Sequence, residues 1–191
     1  MPDVPLRCRC GTSIGVARDV SPTGGFRFVC YCADCQAFAQ LLERPDVLDP
    51  AGGTDIYQMP PGRVTLVTGL DALRCVRFSP RVLRWYVDCC KTPIANTAAT
   101  PAFPIVGISH ACMDYTGTRA RDEVLGPPLC RIYEHSARGP LPVTAAPQPS
   151  VRTSVRRVWK LLSWRARGLH RPNPFFDEHG APRADPRVVD R

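Results

Sequence analysis

The sequence predicts a mainly β fold with a few short helices. One pattern carries that expectation, and a second observation directs the reading of the chemistry. Short segments that alternate apolar and polar residues recur between glycine- and proline-rich turns. Most of the cysteines fall in three tight clusters rather than being scattered through the chain. A length of 191 residues suits one domain with an appendage, and 44% hydrophobic residues are enough to build its core.

Taken in order, the chain begins with Cys8-Arg9-Cys10-Gly11, two cysteines around one residue in a segment that suits a tight turn. Gly11 can take the left-handed backbone that such turns need. Residues 12–20 read as a strand with Ile14 and Val16 on one face, and 21–25 (Ser-Pro-Thr-Gly-Gly) as a hairpin-type turn. The alternation of Phe26, Phe28 and Cys30 makes a second strand that runs into Cys30-Tyr31-Cys32-Ala33-Asp34-Cys35. Helix formers over 36–42 predict a short helix that Pro45 ends. Strands follow over 55–59, 63–68, 73–79 and 82–87, with weaker ones over 105–110 and 129–135 and a short helix near 120–124. Residues 136–150 are rich in Pro, Ala and Gly and read as a linker. A helix over 151–168 carries Arg152, Arg156, Arg157, Lys160, Arg165 and Arg167, and a polar tail closes the chain. The expected organisation is therefore a β domain over 1–135, followed by linker, basic helix and tail over 136–191.

Chemistry concentrates in the cysteines. The spacing C-x-C-x-x-C of Cys30, Cys32 and Cys35 can aim three sulfurs at one centre, and three thiolates fill three corners of a zinc tetrahedron. A third cluster, Cys89-Cys90-Lys91-Thr92-Pro93, can join Cys8 and Cys10 in a four-sulfur site. Residues adjacent in an extended strand point to opposite faces, so Cys89 and Cys90 can serve one metal only if the backbone turns between them. Otherwise Cys89 faces the Cys30/Cys32/Cys35 group and Cys90 the other. The expected cofactor is one or two zinc ions, held by Cys8, Cys10, Cys89, Cys90, Cys30, Cys32 and Cys35. Cys75, Cys112 and Cys130 stand alone in apolar stretches and read as core residues. Asp34 reads as a support for a neighbouring ligand or as a helix N-terminal carboxylate, and no residue stands out as a general base.

The order C-x-C-G, C-x-C-x-x-C and a cysteine pair before Thr92-Pro93 resembles the glutathione-dependent formaldehyde-activating enzymes, the family that includes centromere protein V. The resemblance spans roughly residues 6–96. It implies a compact, mostly β zinc fold, with a structural zinc on Cys8, Cys10, Cys90 and one further cysteine. It also implies a less saturated zinc on Cys30, Cys32 and Cys35, and a carbon–sulfur lyase activity on adducts of glutathione and formaldehyde. The sequence departs from that pattern at three places. The family's C-x-x-C-G-T-P would set its first cysteine at Val87, Lys91 stands for Gly, and Tyr31 stands where His is common.

A net charge of +8 permits contact with nucleic acid or anionic surfaces, although a solvated basic face with Val155, Val158 and Leu162 packed inward is the favoured reading of the 151–168 helix. The N-terminus lacks the charged and apolar regions of a secretory signal, and no run approaches the ~20 apolar residues of a membrane span. Clustered cysteines then indicate metal rather than disulfides and a cytoplasmic setting. The family resemblance implies a small-molecule thiol or aldehyde adduct as the partner, and nucleic acid is the less favoured one.

Overall fold

The structure is a computed structural model that describes residues 2–116, 120–141 and 150–190. Part of the expected linker, residues 142–149, lies outside them. The fold is mainly β. A three-stranded antiparallel sheet pairs β1 (Val4–Arg7), β2 (Ile14–Ala17) and β5 (Val64–Thr68) in the order β1-β2-β5. An eight-stranded mixed sheet contains β3 (Phe26–Cys30), β4 (Thr54–Met59), β6 (Leu73–Ser79), β7 (Val82–Val87), β8 (Thr92–Ala98), β9 (Val106–Ser109), β10 (Cys130–Ile132) and β11 (Pro186–Val188). Its order is β10-β3-β4-β9-β8-β7-β6-β11. The helices are α1 (Ala33–Leu41), α2 (Arg121–Leu125) and α3 (Val151–Ala166).

Strand β8 does not stand out in the sequence, because Pro93 and Asn96 interrupt any β signature. It nevertheless sits between β7 and β9. The ladder shifts between Trp85 and Tyr86, so that Ala95 faces Trp85 while Pro93 faces Tyr86. A bulge here accommodates a residue that cannot donate to the ladder. The central strands then bury Trp85, Val87, Ile94, Val106 and Ile108 in the main core.

Two expectations for the C-terminal region are corrected. The stretch read as a polar tail supplies β11, which runs parallel to β6 along an edge whose unpaired backbone groups accept a strand whatever its side chains. Ahead of it, Phe175 and Phe176 enter the main core and pack against Trp85, the first tilted and the second edge-on, at ring-centroid distances of 5.3 and 6.2 Å. The second correction concerns α3. Val155, Val158 and Leu162 face solvent; the helix docks instead through Trp164, buried with Phe26 and Ile105, and through Leu161. Lys160 supports this contact: its ammonium lies over the Phe26 ring and donates to the Thr23 carbonyl.

Candidate metal centres

The first cysteine group forms where two turns meet. After β1 the chain reverses over residues 8–11: Gly11 N–H donates to the Cys8 carbonyl at 3.0 Å, and Gly11 has φ +79°. That left-handed conformation is one glycine adopts freely. The second turn follows β7. Residues 88–91 leave the strand, and Lys91 takes φ 53°, which swings the chain back into β8. Turned in this way, Cys89 and Cys90 both reach the first group. Cys8, Cys10 and Cys90 place their sulfurs within 4.8 Å of one another, with Cys8 and Cys10 at 3.5 Å, and Cys89 lies 2.9 Å from Cys10. A tetrahedron with metal–sulfur bonds of about 2.3 Å has edges of about 3.8 Å, so Cys8, Cys10 and Cys90 suit three corners of a zinc site, and Cys89, which touches Cys10 but does not lie within 4.8 Å of all three, is the sulfur available for the fourth.

Polar groups hold this arrangement. Ser13 N–H donates to Cys8 Sγ at 3.2 Å. The buried Thr92 hydroxyl lies 3.1 Å from Cys90 Sγ and accepts from Arg9 N–H at 3.1 Å. Such neighbours orient ligands and tune their charge. The hydrogen bond from Cys89, aided by Thr12, brings the Cys10 thiol down to about 6, while that same bond raises Cys89 to about 11. One thiolate therefore forms readily in this group.

The second group joins the end of a strand to the start of a helix. Cys30 closes β3, Cys32 is the extended residue that caps α1, and Cys35 lies in its first turn. Cys35 N–H donates to the Cys32 carbonyl at 3.0 Å, which bends the segment into a tight loop. Gln36 fixes that loop by donating to the Tyr31 carbonyl at 2.7 Å and to the Ser136 carbonyl at 2.8 Å. All three sulfurs lie within 4.8 Å of one another, with Cys30 and Cys35 buried and Cys32 half-buried. Among the described residues, no fourth cysteine, histidine or carboxylate joins them within that distance.

The acidities in this trio diverge. Hydrogen bonds from Cys30 and Cys35 bring Cys32 down to about 2, whereas the bond to Cys32 pushes Cys30 up. The bond from Cys30 favours ionisation of Cys35, but its contact with Cys32 and its burial raise it to about 11 overall. Without a cation, only the first proton leaves easily. A divalent ion offsets the repulsion among three close thiolates, and the donor set therefore suits a soft-ligand metal such as zinc.

A family model matches residues 2–186, a span that contains both cysteine groups and the first residue of β11. The chain belongs to this family, DUF6151, described as a family of unknown function. No curated protein matches it.

In this DUF6151 chain the structure adds a residue that sequence reasoning did not single out. Arg84, buried on β7, donates to Cys35 Sγ at 3.5 Å and to Asn96 Oδ1 at 3.2 Å, and its other terminal nitrogen lies 3.7 Å from Asp34. Its guanidinium lies over the rings of Phe38 and Phe78, at 5.9 and 6.0 Å from their centroids. One signal was visible in the sequence: a lone arginine inside the apolar run Val82-Leu83-Arg84-Trp85-Tyr86-Val87. Asp34 accordingly stands beside the cysteine trio and faces Arg84. A groove of about 800 Å³ opens over the trio, walled by Cys30, Cys32, Cys35, Arg81, Arg84 and His135.

The three lone cysteines stand outside the two sulfur groups. Cys75 and Cys112 are buried in the main core, and Cys130 is half-buried in the apolar cluster that also holds Cys30, Cys32 and Cys35, outside their sulfur group. His110 lines a separate polar cavity of about 480 Å³, with its Nδ1 3.2 Å from the Asp55 carbonyl. Arg27, one of three arginines lining that cavity, is held by Asp55 and Asp122, each at 2.7 Å.

Proposed function

We propose that this DUF6151 protein carries two zinc ions in different roles. The zinc on Cys8, Cys10 and Cys90 is structural, because Cys89, already in contact with Cys10, is at hand to close its fourth position. The zinc on Cys30, Cys32 and Cys35 keeps one position for an exogenous small-molecule thiol. The observation that carries the reading is the trio itself: three sulfurs within 4.8 Å, no fourth protein ligand among the described residues, and an open groove beside them. Zinc bound there would hold an incoming thiol as its thiolate. Arg84, beside Asp34 and Cys35, offsets the excess negative charge of three cysteine thiolates, and Arg81 on the groove wall is the cation left to meet a carboxylate of the thiol.

The finer reading rests on the motif resemblance. The thiol is glutathione, the second reactant is formaldehyde or a similar small aldehyde, and the activity is that of a carbon–sulfur lyase acting on their adduct. A non-catalytic zinc module that binds a partner is the competing reading, favoured by the exposed apolar stripe of α3 and the arginines beside it. X-ray absorption on the zinc-loaded protein, with and without glutathione, tests the proposal. Averaged over both metals, a light-atom contribution that sulfur replaces when glutathione is added supports the open site. Four protein sulfurs at both metals would overturn it. Turnover of the glutathione–formaldehyde adduct then separates enzyme from module.

A further inference from the structure

Helix α3 presents two faces of different character. Trp164, Leu161 and Lys160 turn inward onto Phe26 and Ile105, and this contact fixes the rotation of the helix. On the opposite side Val151, Val155, Val158, Trp159, Leu162 and Ala166 fall within an arc of about 100°, at 3.6 residues per turn. All of them are exposed, Val151 at 82% and Trp159 at 70%. Arg152, Arg156 and Arg167 border one edge of this stripe and Arg165 the other, and no acidic residue occurs in the helix. An apolar stripe with tryptophan, flanked by arginines and aimed at solvent, is the pattern of a helix that lies in a lipid–water interface.

We propose that α3 docks the protein onto an anionic membrane surface, its apolar stripe entering the headgroup region and its arginines meeting acidic lipid headgroups. Charge selects this occupant. A second copy of the chain laid against the stripe would bring arginine edges together, and a neutral apolar partner would leave the flanking arginines unmatched. A lipid surface carrying phosphatidylserine satisfies both the stripe and its borders. Docking by this face needs no membrane-spanning element, and none of the described helices is long and apolar enough to be one.

The test uses the full-length, zinc-loaded protein and phospholipid vesicles. Trp85 and Trp164 are buried, so Trp159 supplies the environment-sensitive fluorescence. We expect co-sedimentation with 3:1 phosphatidylcholine–phosphatidylserine vesicles, little with phosphatidylcholine alone, and a blue shift of the Trp159 emission. The double variant W159S/L162S should lose binding while keeping its zinc, because both side chains point to solvent. Arg152→Ala and Arg156→Ala should each weaken binding about fivefold. The proposal is overturned by failure to bind anionic vesicles or by equal binding to neutral ones. Undiminished binding by W159S/L162S would overturn it too, since bulk positive charge would then suffice. So would a stable dimer that shields Trp159, or a preference for a nucleic acid that displaces the protein from vesicles.

Discussion

The sulfurs of Cys10 and Cys89 lie 2.9 Å apart, although 79 residues separate them in the chain. This contact places Cys89 with Cys8, Cys10 and Cys90 rather than with Cys30, Cys32 and Cys35. It rests on the turn over residues 88–91 and on Lys91 at φ 53°.

Serine at Cys10 or at Cys89 should therefore release the same zinc and lower thermal stability markedly, because binding of a structural zinc is coupled to folding. Elemental analysis and a melting curve of each variant check this. Full zinc content in Cys89→Ser would remove Cys89 from the ligand set.

Cys32→Ser should instead empty only the three-cysteine site and leave the zinc on Cys8 and Cys10 in place. A chelator titration of the unaltered protein should show two phases, with the three-cysteine metal leaving first because fewer protein ligands hold it. Loss of both metals in a single phase would contradict two independent sites.

Arg84→Met should weaken zinc at the three-cysteine site by roughly 10–100-fold, the usual effect of removing a residue that supports a metal ligand. It should also destabilise the fold by about 3–5 kcal/mol, since Asp34 and the neighbouring sulfurs lose a buried cation. Competition with a colorimetric zinc chelator and urea unfolding measure the two effects, and an unchanged affinity would show that Arg84 is purely structural.

Phe175→Ala should cost about 3–5 kcal/mol in urea unfolding, the range for deleting a fully buried aromatic side chain. A chain cut after Ser136 loses Phe175, Phe176, Trp164 and β11 together, so it should be far less stable than the whole protein even though every clustered cysteine precedes the cut. A truncated chain that melts with the full-length protein would disprove this role for the C-terminal segment.

Burial lowers the pKa of His110 from its ordinary value of 6.5. The unfolded chain thus binds the proton more readily, and stability falls as the pH drops from about 6.5 toward the lower folded value. In His110→Gln the melting temperature should depend less on pH over that window. An identical pH profile in the two proteins would mean that His110 titrates normally.

The mainly β class, most strands and the short helix after Cys32 were legible in the sequence, because two-residue alternation and Gly/Pro turns are local signals. So were the three cysteine clusters, whose spacing is set within a few residues. The assignment of Cys89 was not, because it depends on how the turn at Lys91 meets the distant turn at Gly11. Arg84 was hidden for a related reason: its partners Cys35 and Asp34 come from another element, and an arginine in an apolar strand does not reveal what it will face. Helix α3 was legible as an amphipathic helix, but its orientation was not. Periodicity shows that an apolar stripe exists, and only packing decides whether it faces the core; here Trp164 and Leu161 claim the inner face and leave the stripe to solvent. Local patterns determined which residues could act together. The tertiary structure decided which did, because the deciding contacts join residues far apart in the chain.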